Sequence, residues 1–160
     1  MTVEHLRAYL DRLGPLLARQ ELLESRLERL NDQKLAPSRA NLDGMPHSPS
    51  PADRTARLAI GITDTEARLA ELSEQIERIR DEIAAILDLM PPATKRNHAL
   101  QEAALWGRYM EGFSVREIAQ SLYGKRPDYK DREEGYMRQS TRQVLEGLRR
   151  LAPLLPDELL

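Results

Sequence analysis

Between residues 55 and 90 one apolar pattern runs without interruption. Thr55, Leu58, Ile62, Thr65, Leu69, Leu72, Ile76, Ile79, Ile83, Ile86 and Met90 recur with alternating spacings of three and four. A 3.5-residue period held over about five heptads is the pattern of a left-handed coiled-coil seam, and more than an amphipathic surface helix requires. Ser50 is placed to accept from the orphan N–H groups, Pro51 suits the first helical position, and Asp53 sits where a capping box needs its acid. Pro91-Pro92 ends the helix, because neither ring donates to the hydrogen-bond ladder. At 1.5 Å per residue, roughly 40 residues make a rod of about 60 Å.

A partner helix precedes the rod. Val3, Leu6, Leu10 and Leu13, then Leu16, Leu23, Leu27 and Leu30, form a second seam, and Gly14-Pro15 predicts a kink or break in it. Residues 31–50, rich in Pro, Ser and Asn, read as a loop that reverses the chain into an antiparallel hairpin. Such a hairpin serves dimerisation or protein docking, or simply covers its own apolar stripe. Residues 16–30 are too few to cover the whole rod. Ile79, Ile83 and Ile86 are therefore expected to pack on the rest of the chain or on a second copy.

Composition divides the chain again. Six of its seven aromatic residues (Trp106, Tyr109, Phe113, Tyr123, Tyr129, Tyr136) fall in residues 106–136, and Tyr9 stands alone outside them. Residues 1–90 carry 12 basic and 16 acidic side chains (−4), whereas residues 91–152 carry 12 basic and 8 acidic (+4). Asp157 and Glu158 end an acidic tail, 153–160. A basic segment beside an acidic one suggests a polyanionic partner for the basic part. The divisions expected are thus 1–90, 91–152 and the tail. Cysteine is absent, which removes disulfides, thiolate nucleophiles and Cys-based zinc sites. His5, His47 and His98 lie too far apart in sequence for a metal motif, and no apolar run approaches a membrane span. The first residues lack the apolar stretch of a signal peptide, so a cytoplasmic protein is expected. No isolated pair of acids in an apolar setting suggests a hydrolase. Neither an enzyme nor a cofactor is expected.

After Pro92 the signals describe three short helices. The first runs from about Lys95 to Met110, with Gly112 at a left-handed C-cap position. Ser114-Val115-Arg116-Glu117 is a capping box for the second, which buries Ile118, Ala119 and Leu122 and ends at Gly124. Residues 125–130 (KRPDYK) are a polar loop. Asp131 and Glu134 can box the third helix, whose inner face is expected at Met137, Thr141, Val144, Leu148 and Leu151 before Pro153. The fold class predicted is all-α: a coiled-coil hairpin of long helices followed by a small three-helix helix-turn-helix domain.

Residues 105–124, LWGRYMEGFSVREIAQSLYG, resemble the L..RY..G.S..EIA..L stretch of region 4 in the main bacterial sigma factor family. The order of features is also similar to that of RinA/ArpU-type phage regulators of late or packaging operons. It comprises Met45-Pro46 with Ser50 and Asp53, the long helix, this stretch, a Tyr-containing loop and YMRQSTRQVLEGLRRL. The resemblance spans roughly residues 40–152 and implies a transcriptional regulator that binds double-stranded DNA, with a hairpin that assembles the protein or meets RNA polymerase. One departure stands out: about nine residues follow Leu122 before the last helix, where a simple helix-turn-helix has three or four.

The residues themselves point to the same contact. If Met137, Thr141, Val144 and Leu148 face inward, Arg138, Gln139, Arg142 and Gln143 form an outer patch in the first half of the last helix. Arginine can take guanine O6 and N7, and glutamine adenine N6 and N7, in the major groove. Arg116, Lys125, Arg126 and Lys130 are candidates for phosphates, which set register but not sequence. Trp106, Tyr109 and Phe113 are expected in the core, while Tyr129 or Tyr136 can touch the sugar-phosphate backbone. Arg149 and Arg150 suit the negative end of the helix macrodipole. Two further readings stay open: a small terminase subunit that binds a packaging site, and a coiled-coil adaptor without DNA binding. Self-association through the coiled coil is expected in each.

Overall fold

A computed structural model of the chain describes residues 1–36 and 51–156. The fold is all-α, and no strand occurs among the described residues. Six α-helices follow in order: α1 (Val3–Leu10), α2 (Leu13–Leu35), α3 (Pro51–Leu87), α4 (Arg96–Tyr109), α5 (Val115–Tyr123) and α6 (Glu133–Leu151), with a 3-10 turn at Ala152–Leu154. Most of the loop expected at 31–50, together with Met45, Pro46 and the Ser50 cap, lies outside the described residues, as does the end of the tail. The helices form two compact units, Leu16–Ile76 and Met1–Pro15 with Glu77–Leu160. This division differs from the boundary expected at Pro91. The last three turns of α3 share a unit with the aromatic segment, and so does α1.

In the unit of Leu16–Ile76, α2 and α3 supply the long-helix hairpin. Ile62, Thr65, Leu72 and Ile76 of the seam are buried, and Leu58 and Leu69 are half-buried. Leu23, Leu27 and Leu30 of α2 are half-buried as well. Leu30 packs beside Gly61, where a Cβ would stand in ordinary contact, 3.7 Å from Leu30 Cδ1. Thr65 occupies a seam position at no cost in unpaired polarity, since its hydroxyl donates to the Gly61 carbonyl at 2.7 Å. Two helices enclose little volume, and Leu22 and Ile60 remain exposed.

In the second unit α1 is closed by Thr2, whose hydroxyl accepts from the His5 amide at 3.2 Å. The break after α1 falls at Asp11 and Arg12, not at Gly14-Pro15. Pro15 is the third residue of α2, where the missing N–H is one of the four donors that have no helical partner anyway. Tyr9 and Arg12 then clasp α3. The Tyr9 hydroxyl donates to Glu82 Oε2 at 3.1 Å, and Arg12 Nη2 donates to the same oxygen at 2.7 Å. The Arg12 guanidinium also lies 3.7 Å from the centre of the Tyr9 ring. Its hydrogen bond, joined by that from Tyr9, holds the Glu82 carboxyl below the usual carboxylate range. Ile83 is fully buried, and Ile86 and Leu87 nearly so. The far end of the seam therefore packs within this unit, and burying it requires no second chain.

Helix α6 packs against α4 and α5. Gly147 lies tightly against α4, where a Cβ would come within 2.9 Å of Leu105 Cδ1, a side chain with no exposed surface. Gly112 takes the left-handed conformation (φ 69°) between α4 and α5. The capping box at α5 is formed in both directions. Ser114 Oγ accepts from the Glu117 amide at 3.3 Å, and Glu117 Oε2 accepts from the Ser114 amide at 2.7 Å.

Candidate nucleic-acid interface

Helix α6 carries half of the candidate residues, and its buried side is Tyr136, Ser140, Gly147, Leu148 and Leu151. This face is rotated from the expected one. Thr141 is exposed, and Met137 and Val144 are only half-buried. The sequence pattern favours large apolar residues, whereas the buried face includes two small ones, Ser140 and Gly147, and Gly147 lies against Leu105 of α4. The Ser140 hydroxyl is satisfied by the Tyr136 carbonyl at 2.9 Å, which makes its full burial cheap.

The rotation changes the outer face. Arg138, Gln139 and Arg142 are exposed, but Gln143 turns towards the core. Gln143 Oε1 is buried without a hydrogen-bond partner, so this residue does not belong to the outer patch. In its place the stripe opposite the buried face continues from Arg138 and Arg142 through Leu145 to Arg149, all exposed. The spacing of four, three and four would have found Arg149 once the helix phase was known.

The cations of α6 are held differently. Arg142 Nε donates to Glu146 Oε1 at 2.8 Å, and that contact keeps the Glu146 carboxyl below its ordinary range. Glu146 Oε2 accepts from Gln101 Nε2 at 3.2 Å, and Gln101 Oε1 accepts from Arg150 Nη1 at 2.9 Å. Arg150 is thereby tied to α4, while Arg142 is oriented but remains 77% exposed. Arg138 has no ion pair among the described residues and borders a shallow groove with Val115, Glu134, Met137 and Thr141.

Arg116, at the start of α5, donates through Nε to Glu133 Oε1 at 2.6 Å. It bridges the first turns of α5 and α6 and, so paired, is a weaker candidate for a phosphate. Glu133 is the first residue of α6, and Arg132 caps it without a side-chain hydrogen bond, so the box expected from Asp131 and Glu134 does not form. Glu133 and Glu134 still favour the positive end of the helix.

The long segment between α5 and α6 is built on stacked tyrosines. Tyr136 stacks on Tyr123 at 5.0 Å and on Tyr129 at 5.7 Å between ring centres. The Tyr136 hydroxyl donates to Asp128 Oδ1 at 2.8 Å and depresses that carboxyl. Successive backbone turns join Arg126 to Tyr123 and Tyr129 to Arg126. Neither Tyr129 nor Tyr136 is placed as a backbone contact, since Tyr136 is buried and the Tyr129 hydroxyl is enclosed. Arg126 lies 5.5 and 5.6 Å from the Tyr123 and Tyr136 ring centres, and Lys125 and Lys130 are exposed beside it. Tyr109 lies in the core as expected, whereas Trp106 and Phe113 are half-buried.

Among the described residues no helix is long and apolar enough to cross a membrane. Comparison of the chain with protein-family models, with curated proteins and with solved structures gives no match.

Proposed function

We propose that this protein is a sequence-specific DNA-binding transcriptional regulator of phage or prophage type, acting in the cytoplasm on a late or packaging operon. Helix α6 enters the major groove, with Arg138 and Arg142 reading bases and Gln139 beside them. Lys125, Arg126 and Lys130 hold phosphates on one side. The observation that carries this reading is the exposed Arg138–Arg142 pair, one turn apart on the face of α6 opposite its packing on α4 and α5. The likeness of residues 105–124 to sigma factor region 4 supports it. The hairpin of α2 and α3 assembles the protein or meets RNA polymerase.

The test is capture of fragments of the source replicon by the purified protein at moderate salt, followed by sequencing. Enrichment of a promoter-proximal fragment upstream of packaging genes is expected. Enrichment at a packaging start site would favour a terminase subunit, and no enrichment above a DNA-free control would favour an adaptor.

A further inference from the structure

Along the flank of α6, between its buried face and the exposed Thr141 and Leu145, lies an open cavity of about 210 Å³ that contains neither Arg138 nor Arg142. Its walls are Tyr109, Ile118, Val144 and Leu148, and Arg7 and Arg108 line it as well. All of these residues belong to one compact unit.

Three observations define what would fill it. An apolar cavity of about 150 Å³ accommodates one benzene ring, so this one suits a single ring with a short extension. Among the described residues Arg7 and Arg108, 65% and 40% exposed, pair with Asp11 alone, at 3.8 Å, one on each carboxylate oxygen. Two guanidinium groups thus share a single carboxylate across contacts too long for strong hydrogen bonds. Tyr109 is 4% exposed, yet its hydroxyl makes no hydrogen bond among the described residues. Burial pushes this phenol up to about 12, so it stays a neutral donor.

We infer that the cavity binds a small aromatic carboxylic acid, its ring against Ile118, Val144 and Leu148 and its carboxylate received by Arg7, Arg108 and the Tyr109 hydroxyl. The acid adds a second anion beside Arg7 and Arg108 and gives the Tyr109 hydroxyl an acceptor. The inference stands apart from DNA reading, since none of these contacts involves Arg138 or Arg142.

Isothermal titration calorimetry with 3-phenylpropanoate, the matched 3-phenyl-1-propanol and acetate tests it. The acid is expected to bind about tenfold more tightly than the alcohol, a ratio equivalent to about 1.4 kcal/mol. Acetate should give no heat. Arg108→Gln should remove the preference for acid over alcohol. Leu145→Trp, which adds bulk at a lining position 39% exposed, should abolish binding of both while circular dichroism stays unchanged. Acetate binding as well as the aromatic acid, or an unchanged preference in Arg108→Gln, would overturn the inference. So would absence of acid binding at millimolar concentration, and a change of mass on Leu145→Trp would then mark the cavity as a contact between copies.

Discussion

Gln143 shows how much rests on the phase of one helix. Its neighbours Arg138, Gln139 and Arg142 project outward as their spacing suggests, but its own carbonyl oxygen is buried and unpaired. An unpaired buried acceptor is destabilising, whereas an apolar side chain of similar shape is not. Gln143→Met is therefore expected to raise the melting temperature slightly and to leave DNA affinity unchanged. A loss of affinity without a loss of stability would return Gln143 to the reading face. Arg142 and Arg138 differ in a second respect. DNA must compete with Glu146 for Arg142, whereas Arg138 has no ion-pair partner among the described residues.

Among the elements, the seam of α3 and the capping box of α5 were legible because each is a local code. Heptad spacing depends only on the helix period, and Ser114 with Glu117 needs only one turn. The helix order, the Gly112 conformation and the identity of α6 followed from signals of the same kind. What the pattern did not reveal depends on contacts distant in sequence. The clasp of Tyr9 and Arg12 on Glu82 joins residues about seventy apart, and the tyrosine stack needs α5 and α6 already side by side. At the start of α6 the box expected from Asp131 and Glu134 does not form; instead Glu133 accepts from Arg116 and Asp128 from Tyr136, contacts between separate elements. The clasp predicts a pH dependence. The folded Glu82 carboxyl lies below its ordinary value of 4.5, so its stabilising effect is fully present above that pH and is lost as the pH falls through the lowered value. Urea unfolding at pH 7 and pH 4 should show a smaller pH effect in Glu82→Gln than in the parent. An equal effect would mean that the clasp is not formed in solution.

At the scale of the molecule, one helix serves two compact units. The seam residues of α3 up to Ile76 belong with α2, and those from Ile79 onward belong with the aromatic segment. A continuous heptad pattern carries no mark of that change of partner, which is why the sequence points to a boundary at Pro91 instead. Ile83 has no exposed surface, while Ile60, also on α3, is 61% exposed. Placing an unpaired charge in the first environment costs several kcal/mol, and in the second very little. Thermal melts should find Ile83→Asp largely unfolded in its C-terminal unit and Ile60→Asp close to the parent. Equal melting temperatures would contradict the burial of this end of the seam.

The proposed DNA reading by α6 rests on Arg138 and Arg142. Fluorescence anisotropy on the captured duplex and a scrambled one, across a salt series, separates their contribution from that of the phosphate contacts. A bidentate arginine–guanine contact contributes about 1–3 kcal/mol of discrimination, so each alanine variant should weaken specific binding by roughly 5- to 150-fold. The larger loss is expected at Arg138. Lys125→Ala or Arg126→Ala should weaken both duplexes alike and reduce the salt slope by about one unit. If Arg138→Ala and Arg142→Ala stay folded and bind both duplexes as the parent does, α6 is not the reading helix.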